Sequence, residues 1–382
     1  MHRIRWLLLC SVVFLCTGAR AQQDSTATAD SLLMQSLRQQ MSQAAAPQLA
    51  APAPRSAPTT NPNMSVIGDF RVSHTSPAQR NFDAEFHEAE LAFQSVVDPY
   101  ARADFFLSIA RDPVTNKFGL DLEEGYLTSQ DLPLDLQLKA GKFRSTFGKI
   151  NNIHPHALPF IDVPNVYVRY LGEDGLNDEG LSLSWLVPNP LDFYQELTVE
   201  ATAGPDGSPS FTRSASNRYL YLAHLKNFWD LTDNATLELG LSGVTGPNDS
   251  AFTSVLGGVD LTYKWKPVQF NTLQSFVLQG EALWSSNSIS GTEKVKSWGA
   301  YVLGTYQIGQ RWFLTGRFDY TNLPTSSAFV ERGYSGVIGW YATEFQKLEL
   351  QVKETTSNAY ASFNQILLRS IFVIGAHGAH AY

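Results

Sequence analysis

From Ser65 onward the chain alternates apolar and polar residues with a period of two, and this constrains its fold more than any other feature. In residues 255–265, Val255, Gly257, Val259, Leu261, Tyr263 and Trp265 share one face, and Leu256, Gly258, Asp260, Thr262 and Lys264 share the other. Residues 311–321 set Trp312, Leu314, Gly316, Phe318 and Tyr320 against Arg311, Phe313, Thr315, Arg317, Asp319 and Thr321. Residues 101–109 set Ala101, Ala103, Phe105, Leu107 and Ile109 against Arg102, Asp104, Phe106 and Ser108. Successive side chains of a strand point to opposite faces, so these are strands with one apolar and one wet face.

The breaks between strands carry further information. Short, turn-like gaps fall near 98–99, 131–133, 188–191, 232–233, 266–267, 309–310 and 346. Longer polar gaps fall near 75–82, 112–117, 144–178, 204–217, 246–253, 286–295, 322–333 and 356–363. The two kinds alternate along the chain and delimit sixteen strands. Short turns on one side and long loops on the other are the pattern of a transmembrane β-barrel. About 20 residues are available per strand and connection, which leaves room for the ~9–11 that a tilted strand needs to cross a bilayer. The expected fold is an all-β, sixteen-stranded antiparallel barrel over residues 64–382. Trp265, Trp298, Trp312 and Trp340 lie near strand ends, where interfacial rings belong.

The first residues, MHRIRWLLLCSVVFLCTGARAQQ, read as a signal peptide over 1–21. Arg3 and Arg5 form a basic start, Leu7 to Leu15 a short apolar run, and Ala19-Arg20-Ala21 a cleavage site. The leader holds both cysteines, Cys10 and Cys16, so disulfide scaffolds, thiol catalysis and Cys-ligated zinc are excluded from the mature chain. That chain carries 25 basic against 36 acidic residues, a balance of −11 that disfavours nucleic acid as a partner. After the leader no stretch supplies the roughly 18 consecutive apolar residues of a membrane helix. Residues 22–63 are expected to hold a short helix, with Leu33, Leu37 and Met41 on one stripe, followed by an extended Ala/Pro linker.

The candidate site is the longest gap, 144–178. It contains GKINNIHPHALPFIDVP (148–164), in which His154 and His156 stand one residue apart and Asp162 follows. His154 and His156 have a spacing that suits a metal, and Asp162 could add a carboxylate. The competing reading is that the histidines pin the loop to a wall. Lys139, Lys142, Arg144 and Lys149 lie close together at its start, and Arg169 follows. Glu88, Glu90, Asp104, Glu196, Glu200, Glu281 and Asp319 sit on polar strand faces. A basic loop facing an acidic wall would set up a transverse field. No G-x-S-x-G elbow appears, and no Ser stands at a telling spacing from His154, so an enzyme is not expected.

Three segments carry a family resemblance: NPNMSVIGDF (61–70), AELAFQSVVDPYARADFFLS (89–108) with LEEGYLT (122–128), and LQLKAGKFRSTFGKINNIHPHALPFIDVP (136–164). Together they resemble the phosphate-selective porin O/P-like outer-membrane proteins, in a branch sometimes labelled as zinc-related outer-membrane receptors. Gly141 to His156 and the His-rich end from Gly375 to His380 match that branch. The terminal aromatic, Tyr382, is similar to the assembly signal of outer-membrane proteins. The resemblance implies a trimeric channel in the bacterial outer membrane, in contact with lipid and lipopolysaccharide. Such a channel passes small hydrophilic solutes or ions by diffusion, needs no cofactor, and is narrowed where its third long loop folds into the lumen. Residues 144–178 would be that loop, with Lys139, Lys142, Arg144, Lys149, His154, His156, Asp162 and Arg169 at the constriction. His377 and His380 are further candidate metal ligands. The alternatives are a structural or adhesin barrel, or a channel with zinc or anion preference. The 42 residues between leader and first strand are too few for the plug of a TonB-dependent receptor.

Overall fold

The computed structural model describes residues 62–375 apart from 78–81, 112–116, 130–131, 192, 206, 214–217, 250–251 and 291. The leader, the 22–61 extension, His377, His380 and Tyr382 lie outside the described residues.

Sixteen strands form one closed antiparallel barrel. The first eight are β1 (Asn63–Ser76), β2 (Asp83–Asp98), β3 (Ala101–Arg111), β4 (Phe118–Ser129), β5 (Leu136–Arg144), β6 (Asn177–Leu186), β7 (Tyr194–Thr202) and β8 (Leu220–Thr232). The second eight are β9 (Ala235–Pro247), β10 (Thr253–Trp265), β11 (Gln274–Ser288), β12 (Lys294–Ile308), β13 (Trp312–Leu323), β14 (Ser326–Thr343), β15 (Gln346–Ser357) and β16 (Phe363–Gly375). Each strand pairs with the next, and β1 closes the ring on β16 from Ser65↔Gly375 to Ser76↔Asn364. Closure gives every strand two neighbours and leaves no open sheet edge.

The alternation read from sequence sets which face each residue takes. On β10, Val255 and Leu261 are exposed on the outside, whereas Leu256, Gly258 and Asp260 point in and are buried. The outer face ends in aromatic rings. Trp284 and Trp298 pair across β11 and β12, and Trp298 stacks on Tyr320 with centroids 4.5 Å apart. Trp312 faces Trp340 at the opposite, short-turn end. Ten residues of β12 separate Trp298 from Ile308, the partner of Trp312. At ~3.4 Å per residue and a tilt of roughly 40°, the two ring levels are about 25 Å apart.

Two connections differ from the expected ones. The stretch 322–333 is not a long loop: β13 and β14 continue through it and turn at Pro324 and Thr325. Asn322 and Ser326 lie within the strands, and the Asn322 amide donates to Phe329 O at 2.6 Å, holding the hairpin tip. The turn at Lys266-Pro267 instead widens to residues 266–273, with a single 3₁₀ turn at Val268–Phe270.

The interior is not uniformly polar. Leu220 and Leu222 (β8), Val244 (β9), Leu256 (β10), Leu283 (β11), Tyr301 and Leu303 (β12) and Val337 (β14) form an apolar patch on the inner wall. Against it pack Phe147, Ile150, Leu158, Phe160, Val166, Tyr167, Tyr170, Leu171 and Leu176, all from the segment between β5 and β6. This core lies inside the barrel and exists because residues 145–176 fold inward.

Candidate functional site

The inward loop, residues 145–176, is tied at its base. The Asn151 amide donates to Ser145 O (2.7 Å) and Leu176 O (3.0 Å), and its Oδ1 accepts from Leu176 N at 2.8 Å. One side chain thus joins the two ends. From there the chain reaches across to β7, β9 and β11. Thr146 N donates to Glu200 at 3.1 Å, Gly148 N to Ser242 Oγ at 2.9 Å and Lys149 N to Glu281 Oε2 at 3.1 Å. The Lys149 ammonium reaches Glu238 at 2.7 Å. Glu281 also accepts the hydroxyls of Tyr167 and Tyr301, each at 2.6 Å.

The middle of the loop, PHALPFIDVP, is rich in proline, which removes backbone donors and leaves carbonyls to be satisfied. Two wall cations collect them. Arg369 of β16, fully buried, donates to the carbonyls of Pro155 (3.1 Å), Leu158 (3.2 Å) and Phe160 (3.0 Å) while Nε holds Glu349 at 2.7 Å. Lys347 donates to His156 O at 3.2 Å. Asp162 follows, gripped by both oxygens through Arg317 Nη2 (2.9 Å each), by Lys353 at 2.5 Å and by the Gln351 amide. The Arg317 guanidinium also bonds Asp319 at 2.9 Å and lies over the Phe160 ring, 4.6 Å from its centroid. A short helix, α1 (Asn165–Tyr170), starts after Pro164 with Asn165 N donating to Asp319 Oδ1 at 3.1 Å. It carries Arg169 to Glu331 at 2.5 Å and Tyr170 OH to Ser297 Oγ at 2.9 Å.

Burial alone would raise the pKa of Asp162, but Arg317 and Lys353 outweigh it and hold the carboxyl well below its ordinary 3.8. A depressed carboxyl pKa contributes docking free energy that is complete above the ordinary value and is lost as pH falls through the depressed one. The difference in single-channel current noise between wild type and Asp162→Asn should therefore be the same at pH 5 as at pH 7, with loosening through this anchor only below about pH 4. A transition centred near pH 6 that Asp162→Asn abolishes would contradict this assignment.

The histidines occupy a corner built by β2, β3 and β4. His154 is an extended residue, and Pro155–Ala157 make a 3₁₀ turn after it. His154 Nε2 lies 2.8 Å from Glu124 Oε1 and its Nδ1 lies 2.8 Å from Glu90 Oε2. His156 Nδ1 is 3.4 Å from the same Glu90 oxygen. Phe106 of β3 supports the His154 ring, with centroids 4.9 Å apart. A bulge in β4 brings a second carboxylate: Phe106 pairs with Glu124 and Leu107 with Leu122, so Glu123 is the extra residue. Glu123 accepts from the Arg144 guanidinium, and Glu124 accepts Arg144 N at 3.1 Å. Burial opposes charge on His154, but carboxylates at both ring nitrogens prevail and raise its pKa to about 10.

The eight residues singled out from sequence therefore divide. Arg144, Lys149, His154, His156, Asp162 and Arg169 belong to the loop or its root, and each meets a wall residue. Lys139 and Lys142 lie earlier, on β5. Lys139 stands over the Tyr126 ring at 4.6 Å, and Lys142 donates to Leu122 O at 2.6 Å. Asp162 does not join the histidines. The charge relation also reverses along the loop: its cations meet Glu90, Glu124, Glu238 and Glu331, but Asp162 meets the cationic Arg317 and Lys353. Arg317, Lys347, Gln351, Lys353 and Arg369 are loop-holding wall residues that sequence reading missed. Arg317 lies on β13, Lys347, Gln351 and Lys353 share one face of β15, and Arg369 lies on β16, all far along the chain from the loop that barrel closure brings them to.

No family model matches the chain. It is 28% identical over 351 residues to an uncharacterised protein of Aquifex aeolicus (strain VF5), spanning 80% of this chain and 71% of that one. Among solved structures, it is similar to the outer membrane channel DcaP of Acinetobacter baumannii (TM-score 0.58, 12% identity, 82% of this chain and 96% of that one). The anion-selective porin from Comamonas acidovorans is also similar (TM-score 0.56, 9% identity, 81% and 98%). So is a trimer form of OmpT, an outer membrane protein of Vibrio cholerae (TM-score 0.54, 9% identity, 82% and 100%). These likenesses span nearly the whole of each neighbour and establish that the fold is the sixteen-stranded barrel of these outer-membrane proteins.

Proposed function

We propose that this chain is an outer-membrane porin, a passive channel for small hydrophilic solutes and ions whose bore is narrowed by residues 145–176. One observation carries the reading: the longest connection of a closed sixteen-stranded barrel turns inward and is held there by charged residues from the surrounding wall. A loop that served as an external adhesin would have no use for such anchors. The apolar outside with ring levels about 25 Å apart supports membrane insertion by strands. Sixteen strands enclose enough width for water around a loop.

The resemblance to phosphate-selective porins suggests a finer reading, an anion site at the constriction. Against it, Arg144, Lys149 and Arg169 each engage a carboxylate, which favours a general diffusion channel. Assembly as a trimer is supported by the trimer form of the similar OmpT barrel. Lipid and lipopolysaccharide would cover the remaining outer face.

Purified, refolded protein in planar bilayers is expected to give discrete conductance steps. The reversal potential across a salt gradient would then report whether anionic or cationic wall groups dominate the narrow point. Folded protein, shown by heat-modifiable migration, that inserts without conductance steps would replace the channel by the structural or adhesin reading.

A further inference from the structure

We propose that Glu90, His154 and His156 form a binding site for one divalent metal ion of the zinc class, fastening the inward loop to the wall at β2. Their ligand atoms all lie within 4.8 Å of one another. Glu90 Oε2 is 2.8 Å from His154 Nδ1 and 3.4 Å from His156 Nδ1. Ligand atoms about 2.0–2.1 Å from a tetrahedral zinc stand roughly 3.3 Å apart, close to the two separations from the Glu90 oxygen.

A second observation points to a ligand. Glu90 is 2% exposed; its Oε2 faces both imidazoles, and its Oε1 is buried with no hydrogen-bond partner. A buried carboxylate left in that state is costly unless a cation meets it. The surroundings have the chemistry of a metal centre. Glu124 Oε1 sits 2.8 Å from His154 Nε2, the far side of the ring, where a carboxylate fixes the tautomer and orients a ligating imidazole. Glu123 Oε1, 3.6 Å from His154 Nδ1, is the nearest further carboxylate for a fourth position. Nitrogen and carboxylate oxygen together suit zinc and its neighbours in the first transition series.

The site lies under the loop, so entry requires the loop to lift, and metal should be supplied during refolding. Full-length protein stripped with chelator and refolded with Co²⁺ is expected to hold one equivalent per chain. Its visible absorption should be that of a four-coordinate ion and should be discharged by Zn²⁺. Glu90→Gln and His156→Gln should each weaken binding more than tenfold, and Glu124→Gln by about 10–100-fold. His154 is left intact because its loss would also break the contact with Glu124. A heat-modifiable, correctly folded wild-type barrel that takes up no Co²⁺ overturns the proposal. So does undiminished binding in both Glu90→Gln and His156→Gln, which would assign the metal to His377 and His380, present in every variant. Conductance of the metal-free samples tests the channel reading separately.

Discussion

Replacing Arg317 with methionine is expected to give larger, noisier current steps than the wild type, from a barrel that still folds and inserts. The Arg317 side chain is fully buried and bonds Asp162 on the loop and Asp319 on its own strand. It also donates to Asp162 O at 2.8 Å and covers the Phe160 ring. Methionine keeps much of the volume but leaves Asp319, itself fully buried, without its guanidinium. Removing one partner of a buried ion pair costs about 3–5 kcal/mol, because the other charge stays desolvated. Lys353 and Gln351 still hold Asp162, so part of that cost is recovered. Even 3 kcal/mol shifts the balance of docked and lifted loop by roughly a hundredfold. The strand ladder is unaffected, since β13 pairs through its backbone. Adding Asp319→Asn should recover much of the loss by removing the orphaned charge. Single-channel recording decides: steps of wild-type size and noise from folded Arg317→Met would mean that this anchor does not hold the element limiting the current.

The barrel was legible in the sequence because a strand with apolar surroundings on one side and water or polar groups on the other must alternate. Val255 and Leu256 are both apolar, yet the period still assigns them to opposite faces, and the structure agrees. The inward fold of 145–176 was not legible from composition. Its apolar residues, Phe147, Ile150, Phe160 and Tyr167, look like any loop's until Leu220, Leu256 and Leu283 are seen to face inward and wait for them. The histidine corner was half legible. His154 and His156 announce themselves, but Glu90 reaches them only through the β2–β3–β4 register, and Glu123 and Glu124 share a face only because of a bulge. A bulge changes the period by one residue at one place and has no compositional mark here. Asp162 was grouped with the histidines by proximity in sequence. Its true partners, Arg317 and Lys353, come from strands more than 150 positions later. The 322–333 hairpin was misjudged for the opposite reason: polar composition resembled a loop, although Phe329 and Val330 are good strand formers and the strands run on to a tight turn.

Gly148→Ala is expected to lift the first part of the loop almost as thoroughly as losing an anchor, although it removes no polar group. Gly148 has φ +61°, the left-handed region that costs an ordinary residue roughly 1–2 kcal/mol. Space is the larger obstacle. A Cβ there would come within 2.1 Å of Glu281 Oε2 and 2.4 Å of the Tyr167 hydroxyl. Neither can yield cheaply. Glu281 is held by Tyr167, Tyr301 and Lys149 N, and hydrogen bonds to a charged group contribute about 1.5–3 kcal/mol each. Moving the carboxylate aside would sacrifice more than one of them, so the docked loop should lose several kcal/mol in total. Gly207→Ala separates the two causes. Gly207 has φ +84°, but a Cβ there would meet nothing within 4 Å. It carries the backbone strain without the clash and should leave the current steps close to wild type. Conductance noise measured on both variants would settle the matter: equal effects would place the cost in the backbone, and a large effect from Gly148→Ala alone would place it in the Glu281 cluster that seats the loop.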